Sequence, residues 1–289
     1  QRTSANTNDL RGKILRIRPT KNGDYTIPKG NLFPKGTAKT RPEIYVMGCR
    51  NPYRISIDQK TNYLYWGKVG PDAGSDSSRG PRGYDEINQA RKAGNFVWPY
   101  CSANNKPYTD YDFAEKKTGK KFNFKKPINT SVNNTGLTEL PPAQPAFWHY
   151  PRASACAGPV FHSDLFPKDQ GGLPAQLDGC LIAYDWTTTR IRLIKLDDKG
   201  NIVKSQDLLS NKCVIFFYPK ANTPGCTAQA CNLSENFSKL KKNGYSIYGV
   251  SADKVKSQSS FSNKFGGFPY PLLADVNKDI IKSFGVWGL

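Results

Sequence analysis

The hydrophobic and polar positions of this chain follow one pattern before residue 210 and another after it. In the first part, short apolar or alternating runs are separated by Gly, Pro, Asn and Asp, which is typical of strands joined by turns. The predicted strands span residues 14–17, 43–46, 53–57, 63–66, 181–184 and 191–196, and residues 197–201 read as a hairpin turn. Many short strands with such links favour a sandwich, a barrel or a propeller.

Residues 101–145 interrupt this strand pattern. They are polar, rich in Asn and Lys, and show little periodicity, so we predict a long surface insertion there.

After residue 210 the pattern alternates between strand and helix. Strands are predicted at 214–218, 245–251 and 272–274, and helices at 228–242, 255–265 and 277–284. This alternation predicts an α/β fold with a parallel sheet. We therefore place two portions at 1–210 and 211–289, joined without a Pro-, Gly- or Ser-rich linker.

The charge of the chain narrows the classes of partner. Its 289 residues contain 42 Lys and Arg against 23 Asp and Glu, a formal net charge of +19. The basic residues are scattered and no nucleic-acid-binding motif accompanies them, so we expect a surface that attracts acidic partners but no nucleic acid. No run of 18 apolar residues occurs, and we expect no membrane span.

The region around Cys226 has the pattern of a reactive thiol. Cys226 follows an apolar strand and opens a helix, whose free N–H groups and positive dipole end stabilise a thiolate. Thr223 can offer its hydroxyl to the sulfur or to a peroxide, and Pro219 stiffens the loop. A thiolate here can attack a peroxide and become a sulfenic acid.

Cys231 is the candidate for condensing with that sulfenic acid. Five residues along a helix turn by about 500° and rise by about 7.5 Å, whereas a disulfide needs Cα atoms within about 7 Å. A Cys226–Cys231 disulfide therefore requires the helix to unwind locally. The alternative is a pair of buried structural cysteines, as we expect for Cys213.

Residues 213–288 resemble the bacterioferritin-comigratory, or PrxQ, subfamily of peroxiredoxins. The resemblance rests on Pro219, Thr223 and Cys226, on residues 223–231 (TPGCTAQAC) and on residues 271–275 (PLLAD). It implies a partial thioredoxin-like fold, reduction of a hydroperoxide by Cys226 with Cys231 resolving, and regeneration by a thioredoxin-like reductant. The family also uses an Arg from a later strand, and no Arg occurs in 211–289, so we expect a truncated peroxiredoxin.

Several phrases in the first portion carry binding chemistry. Arg50 and Asn51 can fork onto the carboxylates or carbonyls of an anionic ligand. Loop carbonyls at Gly70 and Pro71, with the acids Asp85 and Glu86, are the oxygen ligands that Ca²⁺ prefers. Taken singly, each phrase is better explained as a turn or an edge salt bridge.

Taken together, residues 3–205 resemble the glucose/sorbosone dehydrogenase family. The matching phrases include residues 8–17 (NDLRGKILRI), 48–52 (GCRNP), 82–88 (RGYDEIN) and 182–186 (IAYDW). The resemblance implies a six-bladed β-propeller, present here as about half, that holds pyrroloquinoline quinone (PQQ) and Ca²⁺. By the family pattern, Arg50 and Asn51 contact the quinone, the Gly70 and Pro71 carbonyls meet Ca²⁺, and Asp85 and Glu86 serve a structural metal site.

The chain departs from that family pattern at identifiable positions. Lys68 stands where an acid is usual and Val97 where a Gly is usual. His149 and His162 do not match the catalytic His of the family, and we interpret both as ordinary loop or strand-end residues.

Three interpretations of function follow. In the first, the chain is a periplasmic or secreted dehydrogenase that acts on a sugar or small polyol and carries an appended redox portion. Alternatively, peroxidase chemistry is its activity, and that portion alone would suggest the cytoplasm. The third interpretation is a non-catalytic component of a larger assembly, or a composite of two proteins.

Four cysteines are widely spaced along the first portion: Cys49, Cys101, Cys156 and Cys180. In an oxidising compartment they could form two disulfides in any of three pairings.

Overall fold

The computed structural model describes residues 2–151, 154–203 and 212–287. The chain divides into two compact units. Unit 1 comprises Gln1–His162 and Gly179–Gly200, and unit 2 comprises Ser163–Asp178 and Asn201–Leu289. The boundary predicted at 210/211 lies outside the described residues.

Unit 1 is built from short strands, as the turn-rich sequence predicts. After a 3-10 helix at Arg2–Ala5, its strands are β1 (Ile14–Leu15), β2 (Arg18–Pro19), β3 (Tyr25–Thr26), β4 (Ile44–Met47), β5 (Pro52–Ile57), β6 (Leu64–Lys68), β7 (Tyr84–Ala90), β8 (Gly94–Asn95), β9 (Cys101–Ser102), β10 (Lys106–Pro107), β11 (Thr109–Asp112), β12 (Lys117–Lys121), β13 (Trp148–Pro151), β14 (Ala155–Phe161), β15 (Cys180–Asp185) and β16 (Arg190–Lys195).

The strands of unit 1 form separate small sheets. The largest is antiparallel with the order β13-β7-β6-β5, and β14-β15-β16 form a second antiparallel sheet. A third sheet has the order β1-β4-β8, and three further pairs are β2 with β3, β9 with β10, and β11 with β12. Within the described ranges these sheets form no closed propeller, and unit 1 has a strand-rich fold.

The segment at 101–145 is not the plain surface insertion predicted from its polarity. It contains β9 to β12, and it contributes Cys101 and Leu140 to a core cluster with Ile44 and Met47. Phe122 packs against the same cluster. A few widely spaced apolar residues are enough to anchor a polar segment, and such residues leave no periodic signal.

Unit 2 contains a parallel three-stranded sheet with helices, which confirms the predicted alternation. Its strands are β17 (Cys213–Phe217), β18 (Ser246–Ser251) and β19 (Leu272–Ala274), paired in that order. Its helices are α1 (Pro224–Glu235), α2 (Phe237–Lys242), α3 (Val255–Lys264) and α4 (Asp279–Ser283), besides 3-10 turns at Lys168–Gln170 and Ala175–Leu177. The helix predicted at 228–242 thus begins earlier and is interrupted at Asn236.

All seven cysteines are free thiols in the structure. The four of unit 1 are Cys49, Cys101, Cys156 and Cys180, and each of them is buried. Burial raises the pKa of Cys49 and of Cys101 to about 12.

Among the described residues, none of the helices has the length and apolar character needed to cross a lipid bilayer.

Candidate functional site

Cys226 lies in the first turn of α1, at the end of a loop that leaves the parallel strand β17. The loop turns at Asn222, whose φ of 63° is in the left-handed region that Asn tolerates. Thr223 is the N-cap residue with extended backbone, and Pro224 occupies the start of the helix. Pro fits there because the first helical N–H has no partner within the helix. The local sequence therefore fixes both the start of α1 and the position of Cys226.

The surroundings of the Cys226 thiol combine an apolar core with a polar helix start. Cys226 is only 8% exposed and belongs to a cluster that includes Phe216, Tyr218 and Phe261. Its sulfur forms no hydrogen bond with the described residues. Such a thiol is held in place by packing and has its hydrogen-bonding capacity left for a reactant.

Thr223 does not cap the helix with its side chain. Its hydroxyl donates instead to the carbonyl of Lys220 at 3.1 Å, and no side-chain cap bond is formed. The first-turn N–H groups at Gly225 and Cys226 are consequently not occupied by Thr223, and helix geometry gives them no partner further back. The hydroxyl oxygen of Thr223 keeps lone pairs with which it can accept a hydrogen bond from a bound hydroperoxide. The predicted Pro219 lies in the same loop and is exposed.

A hydrogen-bonded network that sequence reasoning missed holds the loop. Asp253 accepts from the Ala221 N–H at 2.7 Å and from the Ser251 hydroxyl at 2.8 Å. Gln258 donates to the Ser251 hydroxyl at 2.8 Å and accepts from the Tyr218 hydroxyl. These residues come from β18, α3 and the connection between them, so only the fold brings them to the loop.

Cys231 lies on the same unbroken helix α1, half-buried against the cluster that contains Cys226. The Tyr270 hydroxyl donates to the carbonyl of Ala230 at 2.5 Å, in a buried position next to Cys231. The hydrogen bond from Tyr270 therefore stabilises α1 between the two cysteines. Because the thiols are five positions apart on a continuous helix, they cannot pair without opening this segment.

In unit 1, Arg50 and Asn51 line one cavity of about 420 Å³, which we call the Arg50 cavity. Arg11 and Trp98 also line it. The Arg50 guanidinium donates to the Val69 carbonyl at 3.2 Å. Two guanidinium groups, an amide and an indole are a donor set that fits a planar anionic ligand such as PQQ.

Val97, next to Trp98, carries backbone strain. Its φ is 59°, a left-handed value that is unusual for a β-branched residue. It is nevertheless buried in the core of unit 1 and its N–H is held by Asn95 Oδ1 at 2.9 Å. The position where the family pattern has Gly is thus one whose backbone conformation favours Gly.

The four predicted metal ligands, Gly70, Pro71, Asp85 and Glu86, lie in two kinds of environment. Asp85 is buried, and its Oδ1 accepts from the Gly70 N–H at 3.0 Å. The Pro71 carbonyl lies so close to Gly83 that a side chain on Gly83 would collide with it. These contacts bring Gly70 and Asp85 together.

Glu86 does not fit a Ca²⁺ ligand. It lies opposite Lys68 across β6 and β7, the Lys68 Nζ to Glu86 Oε2 distance is 2.7 Å, and both side chains are 2% exposed. Asn88 donates to Oε2 at 3.1 Å, and the Ala103 N–H donates to Oε1 at 2.8 Å. Both carboxylate oxygens are thus occupied and the charge is neutralised by an ammonium.

The two histidines make structural contacts. His162 Nε2 lies 2.5 Å from Asp58 Oδ1, with both side chains largely buried. His149 packs edge-on against Tyr84, and burial lowers its pKa. These contacts suit the role of ordinary strand-end residues.

Comparisons with known proteins give two family matches. The "Glucose / Sorbosone dehydrogenase" family matches residues 1–207, and the "AhpC/TSA family" matches residues 183–289. Peroxiredoxin bcp1 of Schizosaccharomyces pombe is 42% identical over 90 residues, which are 31% of this chain and 46% of the relative. Peroxiredoxin Bcp of Escherichia coli is 41% identical over 92 residues, 32% of this chain and 58% of the relative.

The chain spans about half the length of these curated relatives. Among solved structures, a mutant of Xanthomonas campestris peroxiredoxin Q is 37% identical with a TM-score of 0.28, covering 30% of this chain and 55% of the other. A glucose dehydrogenase structure is 17% identical with a TM-score of 0.42, covering 70% of this chain and 46% of the other.

Proposed function

We propose that this chain, which belongs to the glucose/sorbosone dehydrogenase family, reduces hydroperoxides at Cys226 of its peroxiredoxin-like portion. Family membership and the Bcp-like portion both indicate an oxidoreductase. The observation that carries the finer proposal is the position of Cys226: buried, without a hydrogen-bond partner in the described chain, in the first turn of α1 behind Thr223.

The proposed first step is attack of the Cys226 thiolate on the terminal oxygen of a hydroperoxide. The sulfur–oxygen bond forms as the O–O bond breaks, and the departing alkoxide takes up one proton to leave as an alcohol or water. The Thr223 oxygen orients the peroxide by accepting a hydrogen bond from it, and the first-turn N–H groups stabilise the developing negative charge. The two-electron reduction of the peroxide leaves Cys226 as a sulfenic acid.

In the second step the Cys231 thiol condenses with this sulfenic acid. The sulfur–sulfur bond forms, the S–OH bond breaks and water leaves. Because α1 is continuous through both residues, its middle must unwind before the sulfurs meet. A thioredoxin-like dithiol then reduces the disulfide by thiol exchange and returns both thiols.

Substitution of each cysteine tests these roles. We expect Cys226→Ser to abolish peroxide reduction, and Cys231→Ser to permit one turnover that leaves a sulfenic acid. The measurements are peroxide consumption with a thioredoxin system and mass spectrometry of a sulfenic-acid trap. Equal multi-turnover rates in both variants would contradict the roles assigned to Cys226 and Cys231. A wild-type chain that is folded but inert toward peroxide would favour a non-catalytic role.

Sugar oxidation in unit 1 is a second candidate function, supported by the Arg50 cavity. Arg50 and Asn51 would hold PQQ there, and bound PQQ would accept a hydride from the carbon of the sugar that is oxidised. Such an activity would suit a periplasmic or secreted location. The pairing of Glu86 with Lys68 leaves the Glu86 carboxylate already neutralised at the structural metal site that the family pattern places at Asp85 and Glu86. Sugar-dependent dye reduction after addition of PQQ tests this function, with Arg50→Gln as the variant that loses it.

A further inference from the structure

Unit 1 contains a second cavity, of about 460 Å³, which shares Trp98 with the Arg50 cavity and is otherwise lined by residues that neither proposed activity uses. We call it the aromatic cavity, because six aromatic side chains line it: Trp98, Tyr100, Tyr108, Tyr111, Phe113 and Phe122. A concave site with a mainly apolar lining and a few polar groups is the usual form of a small-molecule site.

The first observation that points to a ligand is the Tyr100 hydroxyl. Tyr100 is 0% exposed and lines the cavity, and its hydroxyl has no hydrogen-bond partner among the described residues. A buried hydroxyl without a partner costs free energy, and native proteins rarely leave one. Burial also raises the pKa of Tyr100 to about 12, so the group is a neutral phenol that can donate and accept.

The second observation is an imbalance of charge at the same cavity. Arg2 and Asp110 both line the cavity and form an ion pair with each other, so their two charges cancel. Arg79 stacks over the Tyr111 ring at 5.0 Å and forms no ion pair within the part of the chain that the structure describes. One guanidinium is therefore left over, and it favours a ligand with one negative charge.

The arrangement of the rings decides between classes of anion. Trp98 meets Tyr108 at 86°, Tyr111 meets Phe113 at 79°, and Tyr100 meets Phe122 at 56°. None of these pairs is parallel, so none forms a slot for a flat aromatic acid. Single ring faces with polar groups at their edges suit a ligand that has C–H faces and several hydroxyls. The exposed Phe113, with 77% of its surface accessible, offers such a face.

We propose that the aromatic cavity binds an acidic saccharide, with its carboxylate on Arg79, a hydroxyl on Tyr100 and its C–H face on the surrounding rings. The ligand is a free sugar acid or the acidic residue of a polysaccharide. Arg79 and Tyr100, which carry this site, belong neither to the thiol chemistry of unit 2 nor to the Arg50 cavity, so its failure and the failure of the proposed function are distinguishable.

Saturation-transfer NMR on the full chain tests the proposal with sodium glucuronate, glucose and benzoate at fixed ionic strength. We expect saturable binding of glucuronate and weaker binding of glucose and benzoate. Arg79→Gln should weaken glucuronate binding by about tenfold, the order of one charge-assisted hydrogen bond, and change glucose binding little. Trigalacturonate in place of glucuronate distinguishes a polysaccharide from a free sugar acid, since only the former should bind more tightly as a trimer.

Two variants keep the test specific. Tyr100→Phe removes only the hydroxyl, and we expect it to weaken glucuronate binding about fivefold while the unliganded chain melts no lower than wild type. Arg18→Gln removes an exposed charge outside the cavity and should leave binding unchanged. Absence of saturable glucuronate binding to the folded chain, stronger binding of benzoate, or an equal effect of Arg18→Gln would each overturn the proposal.

Discussion

Two buried polar groups, Glu86 in unit 1 and Cys226 in unit 2, differ in how much of their hydrogen-bonding capacity is used. In unit 1, Glu86 lies at 2% exposure with both oxygens hydrogen-bonded and an ammonium opposite it. In unit 2, Cys226 lies at 8% exposure with no hydrogen bond to its sulfur in the described residues. The Glu86 carboxylate, whose bonding capacity is used up, stabilises structure, whereas the spare capacity of the Cys226 sulfur at a helix start is what the proposed peroxide chemistry needs.

Replacing Lys68 with Met should have the largest effect. It leaves the Glu86 carboxylate buried without a counter-ion, and we expect the free energy of unfolding of unit 1 to fall by about 3–5 kcal/mol. Urea denaturation followed by tryptophan fluorescence measures this loss. The double variant Lys68→Met/Glu86→Leu should recover much of it, because no charge is then buried.

The exposed pair Lys126 and Glu139 supplies the matched control. Their ends lie 3.0 Å apart, with side-chain exposures of 61% and 60%. Lys126→Met should cost less than about 1 kcal/mol. Equal losses of stability in Lys68→Met and Lys126→Met would show that burial does not make the Lys68–Glu86 pair more costly to break.

In unit 2, removing the Tyr270 hydroxyl should speed disulfide formation. The variant Tyr270→Phe frees the Ala230 carbonyl, which lowers the cost of opening α1 by about 1 kcal/mol, or about fivefold in rate. Acid-quenched samples analysed by mass spectrometry give the rate after a peroxide pulse. Tyr245→Phe, on a more exposed tyrosine, should leave the rate unchanged. A slower reaction in Tyr270→Phe would contradict the need for unwinding.

Protonation of Asp58 at low pH should lower the free energy of unfolding of unit 1. Burial alone would raise its pKa, but hydrogen bonds from Thr61 and His162 hold the pKa of Asp58 below its ordinary value. A carboxyl with a lowered pKa stabilises the fold above its unfolded value of about 4, and this contribution is lost as the pH falls through the folded pKa. Urea midpoints measured at decreasing pH should therefore fall below about pH 4, and less steeply in Asp58→Asn. Parallel profiles would exclude Asp58 as a source of the acid sensitivity.

The smallest expected effect is that of metal removal. Because Lys68 supplies the positive charge at Glu86, treatment with EDTA should leave the thermal midpoint of unit 1 unchanged. Differential scanning calorimetry with added Ca²⁺ or EDTA checks this. A midpoint that rises with Ca²⁺ would show that the Lys68 pair does not replace a metal.

The sequence pattern predicts local structure well where one physical signal dominates. The apolar runs of β17, β18 and β19 give their positions, and the alternation with helices gives the parallel sheet. The predicted start of α1 is four residues late, because apolar periodicity begins only after the N-cap residue Thr223 and Pro224. Caps and breakers, more than hydrophobicity, set such boundaries.

Contacts between distant residues could not be predicted from the sequence. Lys68 and Glu86 meet only because β6 and β7 pair in one register, and a one-residue slip would separate them. The same holds for Asp253 and Ala221, which lie in different connections of unit 2. Cys226 could be singled out because its signal is local: a strand, a turn with Pro and Thr, and a helix start.

The buried thiols of unit 1 give the chain an internal folding reporter. Cys49 and Cys101 are 0% exposed, and their pKa values of about 12 leave almost no thiolate near neutral pH. An alkylating reagent can therefore label them only in molecules whose unit 1 has opened. Pulse alkylation with peptide mass spectrometry would time the opening of unit 1 without any engineered probe.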